Sequence, residues 1–140
     1  MINILIIEDE IPAQITLKKL IERCCADSQV VATLTSVKST IKWLEENPDM
    51  ADIIFMDVEL SDGICFEIFE HINPSAQVII TTAYDNYALN AFKINSVDYL
   101  LKPIIDEELR RAWQRSLERL NNRQMPNLEQ IMDMVSKVGE

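Results

Sequence analysis

Residues 53–60 read Ile-Ile-Phe-Met-Asp-Val-Glu-Leu, an apolar run that meets its first acidic residue at Asp57. The run is short and has no polar alternation, which is typical of a strand buried on both faces of a parallel sheet. Four more runs of this kind cover residues 2–7, 30–34, 78–82 and 97–101. With residues 53–56 they predict five strands.

Segments with helical periodicity follow each predicted strand. Their apolar stripes are Ala13, Leu17, Leu20, Ile21 and Cys24; Val37, Ile41 and Leu44; Cys65, Ile68, Phe69 and Ile72; Tyr84, Tyr87, Ala88, Ala91 and Phe92; and Ile105, Leu109, Ala112, Trp113, Leu117 and Leu120. Ser36 is placed to cap the second helix. Strands that alternate with helices predict an α/β fold with a five-stranded, parallel, doubly wound sheet.

Composition excludes several classes of protein. The 140 residues suit one domain. No run approaches the roughly 18 apolar residues of a membrane span, so we expect a cytoplasmic protein without membrane contact. The net charge is −10 with no basic patch, so these residues are not expected to bind DNA themselves.

Glycine and cysteine usage narrows the function further. The two glycines, Gly63 and Gly139, form no glycine-rich phosphate loop, which argues against a nucleotide-binding domain. The three cysteines, Cys24, Cys25 and Cys65, have no framework spacing. They predict neither a disulfide scaffold nor a zinc site, and we interpret them as small apolar residues.

Polar and reactive side chains collect where the predicted strands end. Functional groups of an open parallel sheet gather at the carboxyl ends of its strands. The residues at those ends are Glu8 and Asp9, Asp57 and Glu59, Thr82, and Lys102 and Pro103. Neighbouring carboxylates repel unless a cation offsets their charge, and Mg²⁺ prefers such oxygen ligands. The set fits phosphoryl transfer to the Asp57 carboxylate, with Lys102 on the phosphoryl oxygens and Thr82 donating a hydrogen bond.

Each of these residues alone has an ordinary structural explanation. An acidic residue after a strand often caps the next helix, a threonine at a strand end is usually structural, and Lys-Pro is usually a turn. The order and spacing of the whole set favour the functional interpretation.

That set resembles the receiver-domain signature of two-component response regulators. The motifs are Ile-Ile-Glu-Asp-Glu at 6–10, Phe-Met-Asp-Val-Glu-Leu at 55–60, Thr-Thr-Ala-Tyr-Asp at 81–85 and Asp-Tyr-Leu-Leu-Lys-Pro at 98–103. The resemblance covers residues 1–120 and implies a flavodoxin-like fold.

The resemblance also implies a role for each matching residue. Asp57 takes the phosphoryl group from a sensor histidine kinase, and the protein is then a switch with at most self-phosphorylation and self-dephosphorylation activity. Lys102 contacts that group, and Thr82 and Tyr99 form the switch pair. The resemblance also implies a bound Mg²⁺, with Mn²⁺ as an alternative, and a cis peptide bond before Pro103. The cation ligands are Asp9, Glu8 directly or through water, Asp57, and the backbone carbonyl of Glu59.

The motifs at 81–92 and 97–103 are similar to the LytTR subclass of response regulators. The subclass implies a C-terminal LytTR domain that binds DNA and regulates transcription, so DNA would be reached only through a domain absent from these residues. The receiver resemblance itself implies a homodimer of the phosphorylated form through the fourth predicted helix, the fifth strand and the fifth helix. Residues 121–140 are then a connector, in which Leu128, Ile131, Met132 and Val135 form another helical stripe and Asn127 with Gln130 resembles a capping box.

The sequence departs from the family pattern after Asp57. The family commonly has proline at the position of Ser61 and glycine at that of Cys65, whereas Gly63 lies two residues earlier. We therefore expect a rerouted turn between Glu59 and the third helix. Glu8 stands where aspartate is more frequent, and its extra methylene bears on whether it reaches the cation directly.

Three alternatives stay open at this point. One is a stand-alone receiver that acts as a relay or a protein-interaction switch. Another is a phosphatase with an aspartate nucleophile, since Asp57 and Glu59 vaguely resemble the paired acids of haloacid-dehalogenase-like hydrolases. The third is a flavodoxin-like domain with no active switch.

Overall fold

The computed structural model describes residues 1–83 and 97–124. In chain order the elements are β1 (Ile2–Ile7), α1 (Ile11–Cys24), β2 (Ser28–Leu34), α2 (Val37–Glu46), β3 (Ile53–Asp57), β4 (Glu59–Leu60), β5 (Gly63–Ile64), α3 (Phe66–His71), β6 (Gln77–Thr82), β7 (Val97–Leu101) and α4 (Asp106–Gln124). The fourth predicted helix, at 84–92, and the predicted helix after residue 126 lie outside the described residues.

Five strands form one parallel sheet in the order β2-β1-β3-β6-β7. This confirms the predicted fold class. The three central strands are apolar and almost wholly buried, as their sequences indicated. The edge strand β2 is only partly buried because it has a neighbour on one side alone.

Each face of the sheet carries its own core. Side chains of α1 and α4 cover one face together with alternate strand residues such as Ile6 and Phe55. Side chains of α2 and α3 cover the other face, against Ile7 and Met56. The alternation of strand side chains divides each apolar run between the two cores.

Helix bounds follow local signals in the sequence. The predicted Ser36 cap is present as a capping box, because Ser36 Oγ accepts from Ser39 N and the Ser39 hydroxyl accepts from Ser36 N. Ile105 departs from its predicted stripe, since it precedes α4 and is 57% exposed. Helix α4 extends to Gln124 and so includes residues 121–124, the first part of the predicted connector.

A two-stranded hairpin follows Asp57 and was not predicted as such. Strands β4 and β5 pair antiparallel, with Glu59 opposite Ile64 and Leu60 opposite Gly63. Ser61 and Asp62 form its turn. The expected rerouting between Glu59 and α3 therefore takes the form of a hairpin.

Candidate functional site

The carboxyl ends of β1, β3, β6 and β7 meet at one edge of the sheet and bring the predicted site residues there. Glu8 directly follows β1, Asp57 ends β3, Thr82 ends β6, and Lys102 directly follows β7. The parallel register fixes this meeting, because Ile7 pairs with Met56 and Thr82 pairs with Leu101. The strand ends are thus held together by backbone pairing and by the cores beneath them.

An acidic cluster lies at this edge. Glu8, Asp9 and Asp57 each offer a carboxylate oxygen, and these oxygens lie within 4.8 Å of one another. Glu8 and Asp57 are buried, with residue exposures of 2% and 8%, whereas Asp9 is partly exposed. The cluster therefore combines two buried carboxylates with a third that is partly exposed to solvent.

Lys102 supplies a positive charge to the cluster. Its Nζ donates to Glu8 Oε1 at 2.5 Å and contacts Asp57 Oδ2 at 3.3 Å. Its backbone N–H donates to the carbonyl of Thr82 at 2.7 Å. This bond attaches Lys102, which follows β7, to the end of β6. One amine therefore bridges the carboxylates of two strands.

Backbone groups complete the partners of the two buried carboxylates. The N–H of Val58 donates to Asp57 Oδ1 at 2.8 Å, and the N–H of Glu10 donates to Glu8 Oε2 at 3.2 Å. The side-chain amide of Gln14, on α1, donates to the carbonyl of Glu8 at 2.7 Å. These bonds fix the carboxylates in place before any ligand arrives.

The pKa of Asp57 is raised to about 7, because burial disfavours its charged form and the nearby Glu8 carboxylate adds to that effect against the opposing charge of Lys102. Burial and Glu8 also raise the pKa of Asp9. Burial would raise the pKa of Glu8 as well, but the bonds from Lys102 and Glu10 N outweigh it and lower that pKa. The site as a whole is short of positive charge.

A divalent cation fits this donor set. Hard oxygen ligands within a few ångströms of each other suit Mg²⁺ or Mn²⁺, and the raised pKa of Asp57 marks the charge that a cation would offset. The side chain of Glu59 is exposed and is not among the clustered carboxylates, and the ligand role of its backbone carbonyl stays a prediction.

The remaining predicted residues occupy the positions that the strands give them. Thr82 is 1% exposed at the end of β6. Tyr99, on β7, is partly buried and packs against the core that α2 and α3 cover. The peptide bond between Lys102 and Pro103 is cis, as the resemblance implied. The roles of Thr82 and Tyr99 in switching stay predictions.

Comparison with known proteins identifies the family. Residues 4–114 match the family described as the response regulator receiver domain. The chain belongs to this family. The chain is therefore the receiver domain of a two-component response regulator.

Relatives of the receiver include sensory transduction proteins. It is 36% identical over 113 residues to the sensory transduction protein LytT of Bacillus anthracis, covering 78% of this chain and 44% of that protein. It is 32% identical over 139 residues to an uncharacterized response regulatory protein of Vibrio cholerae, covering 94% of this chain and 57% of that protein. The chain spans about half the length of the curated relatives it matches.

Solved structures share the fold. The response regulatory domain of protein mrkE from Klebsiella pneumoniae is similar at a TM-score of 0.73 and 25% identity, covering 86% of this chain and 99% of that one. A response regulator receiver domain from Clostridium thermocellum is similar at a TM-score of 0.72 and 26% identity, covering 86% and 98%. Among the described residues, no helix is both long and apolar enough to cross a membrane.

One feature of the site region escaped the sequence analysis. The carboxylate of Asp62 binds two backbone N–H groups at the start of α2. An Asp-Gly pair between apolar residues is a hairpin signal, and Asp62-Gly63 offered it. The strands on either side are only two residues long, so they carry too little periodicity to be recognised.

Proposed function

We propose that this receiver accepts a phosphoryl group on Asp57 from a sensor histidine kinase in a Mg²⁺-dependent reaction. The observation that carries the proposal is the arrangement of three carboxylates and Lys102 at the carboxyl edge of the sheet. Within it, the Asp57 carboxylate accepts from Lys102 Nζ and from the backbone N–H of Val58.

Asp57 acts as the nucleophile of the transfer. One of its carboxylate oxygens forms a bond to phosphorus, while the bond from phosphorus to the imidazole nitrogen of the kinase histidine breaks and the nitrogen keeps the electron pair. Glu8, Asp9, Asp57 and the carbonyl of Glu59 would hold the cation. Bound Mg²⁺ supplies positive charge that offsets the carboxylates and the phosphoryl oxygens.

Lys102 changes partners in the phosphorylated state. The new phosphoryl oxygens offer it a stronger acceptor than Glu8, and the Thr82 hydroxyl donates to them from the neighbouring strand. Tyr99 then moves inward beside Thr82. The protein is a phospho-acceptor switch, with at most self-phosphorylation and self-dephosphorylation as its own catalysis.

Dimerisation and transcription control form the output of the switch. Receiver domains interact with histidine kinases and can dimerise, and the proposed homodimer uses β7, α4 and the helix predicted at 84–92. The similarity to LytT proteins, of which this chain spans less than half, supports a C-terminal LytTR domain that binds DNA and regulates transcription in the cytoplasm. A receiver that acts without an output domain would use the same chemistry at Asp57.

Intact mass after incubation with Mg²⁺ and acetyl phosphate tests the acceptor. We expect one added phosphoryl group on the parent, lost on treatment with hydroxylamine, and none on Asp57→Ala. A full-level label on both Asp57→Ala and Asp57→Asn would refute the assignment. The same incubation with EDTA in place of Mg²⁺ checks the cation requirement.

A further inference from the structure

The hairpin that follows Asp57 is fastened to a different part of the chain. Asp62 Oδ1 accepts from the N–H of Val37 at 2.6 Å, and Asp62 Oδ2 accepts from the N–H of Lys38 at 3.0 Å. Beside it, Ser61 donates to the carbonyl of Thr35 from both its N–H, at 3.5 Å, and its hydroxyl, at 3.1 Å. The hairpin turn is thus tied to the β2–α2 junction by four hydrogen bonds.

Asp62 binds backbone N–H groups in the first turn of α2 that have no partner within the helix. The first turn of α2 contains no acidic residue, and its Ser36 cap accepts only from Ser39 N. The N–H groups of Val37 and Lys38 point out of the helix without partners in its own turn, and a carboxylate there also meets the positive end of the helix dipole. A carboxylate from another loop fills this position.

Apolar contacts hold the other side of the hairpin. Val58 and Leu60 are buried among the side chains of the core that α2 and α3 cover. The N–H of Cys65 donates to the carbonyl of Val58 at 2.8 Å, which closes the base of the hairpin. Between the buried base and the tethered turn lies Glu59, whose backbone therefore has little freedom to move.

Nothing in the local sequence would provide the same restraint. The family commonly has proline at the position of Ser61, where a fixed φ stiffens the loop. Ser61 leaves that torsion free, so the long-range hydrogen bonds have to supply the stiffness. This loop carries the carbonyl that the family resemblance implies as a cation ligand.

We propose that Asp62 is a positioning residue for the divalent cation: by fastening the hairpin to the start of α2, it sets the place of the Glu59 carbonyl, which the family resemblance implies as a cation ligand together with the carboxylates of Glu8, Asp9 and Asp57. The inference rests on the proposed function, since it requires a cation at this cluster. Asp62 itself touches neither the cation nor the phosphoryl group.

Calorimetric titration of the whole 140-residue chain with Mg²⁺ tests this role. Loss of a group that orients a metal ligand weakens metal affinity by a factor on the order of ten or more, so we expect Asp62→Ala to raise the Kd for Mg²⁺ about tenfold. Asp62→Asn keeps one carbonyl oxygen as acceptor and should fall between this variant and the parent.

Ser36→Ala is the matched control. It removes a cap from the same helix and costs similar stability, yet it leaves both N–H bonds to Asp62 in place. We expect its Kd for Mg²⁺ to stay within about twofold of the parent, because the hairpin remains tethered. A purely structural effect of Asp62 would instead move both variants together.

The outcomes separate the two proposals. Parent-like Mg²⁺ affinity in folded Asp62→Ala, with normal phosphorylation of the parent on Asp57, would overturn the tether and leave the proposed function standing. If Asp62→Ala does not fold, Asp62→Asn decides by the same comparison. A parent chain that binds no Mg²⁺ and takes no phosphoryl group would overturn both.

Discussion

Asp57 is buried beside the negative charge of Glu8, and its carboxyl group therefore ionises less readily than that of an exposed aspartate. Its pKa of about 7 lies well above the ordinary value of 3.8. Between about pH 4 and pH 7, Asp57 is therefore protonated in the folded chain and ionised in the unfolded chain. Without a divalent cation, this residue makes stability fall as pH rises through that window.

Asp57→Asn removes the charge while it keeps the shape of the side chain. In EDTA at about pH 8 we expect the variant to be more stable than the parent by about 2 kcal/mol, since the parent alone has to hold a buried carboxylate there. Near pH 5 the difference should shrink, because the parent is then protonated at this residue. Urea unfolding of both proteins at the two pH values measures this.

Saturating Mg²⁺ serves as the control for that comparison. A bound cation offsets the charge of the Asp57 carboxylate, so the parent should gain more stability from Mg²⁺ than Asp57→Asn does. Equal stabilities of the two proteins in EDTA at about pH 8 would contradict the electrostatic account of the site.

The start of α2 is where an element depends on a distant side chain. Burial would raise the pKa of Asp62, but the bonds from the N–H groups of Lys38 and Val37 together outweigh it and lower that pKa. A lowered folded-state pKa means that the stabilisation is present above the ordinary pKa of aspartate and is lost as pH falls through the folded value.

For Asp62→Ala we expect a loss of about 1 kcal/mol in the free energy of unfolding near pH 7, the usual effect of removing a helix cap. The loss should diminish as pH falls below the ordinary pKa of aspartate, because protonation of the parent's Asp62 weakens its bonds. Urea unfolding across this pH range measures it. A constant difference down to about pH 2 would show that the charge of Asp62 is not what stabilises α2.

Helix α4 owes its place to the apolar face that it turns toward the sheet. Leu109 is fully buried there, next to Ala112 and Trp113. Leu109→Ala should lower the free energy of unfolding by about 3 kcal/mol, because the cavity it leaves adds to the lost burial. Leu101→Ala is the control: its side chain is 41% exposed, and we expect a change of less than about 0.5 kcal/mol in urea unfolding.

At the scale of the whole molecule, we expect Lys102 to link phosphorylation of Asp57 to dimerisation. Its Nζ binds Glu8 and Asp57, while its backbone N–H binds the carbonyl of Thr82 on β6. Movement of Lys102 toward a phosphoryl group is therefore expected to shift the ends of β6 and β7. Lys102→Ala should fold and take a phosphoryl group on Asp57, yet fail to dimerise.

Intact mass and light scattering after size exclusion, with and without acetyl phosphate, measure phosphorylation and dimerisation in the same samples. The parent is expected to add mass and to dimerise, whereas the variant adds mass and stays monomeric. Dimerisation of phosphorylated Lys102→Ala to the same extent as the parent would contradict the link.

The sequence by itself determined the fold class and the residues of the site. Nearly continuous apolar runs such as 2–7 and 53–56 are typical of strands buried on both faces, and parallel strands bring their carboxyl ends to one edge. The sequence therefore predicted the proximity of Glu8, Asp57 and Lys102, because each lies at the carboxyl end of a predicted strand. The types of these residues and their positions at strand ends are enough to predict which of them form the site.

Only the tertiary structure decided how those residues interact. The bridge from Lys102 to both carboxylates and the raised pKa of Asp57 depend on distances and burial, which no spacing in the chain encodes. The attachment of the hairpin to α2 was even harder to predict, because the bond from Val37 to Asp62 joins groups 25 residues apart. Local periodicity reports which side chains enter a core, whereas a contact between two loops exists only once the strands beneath them have paired.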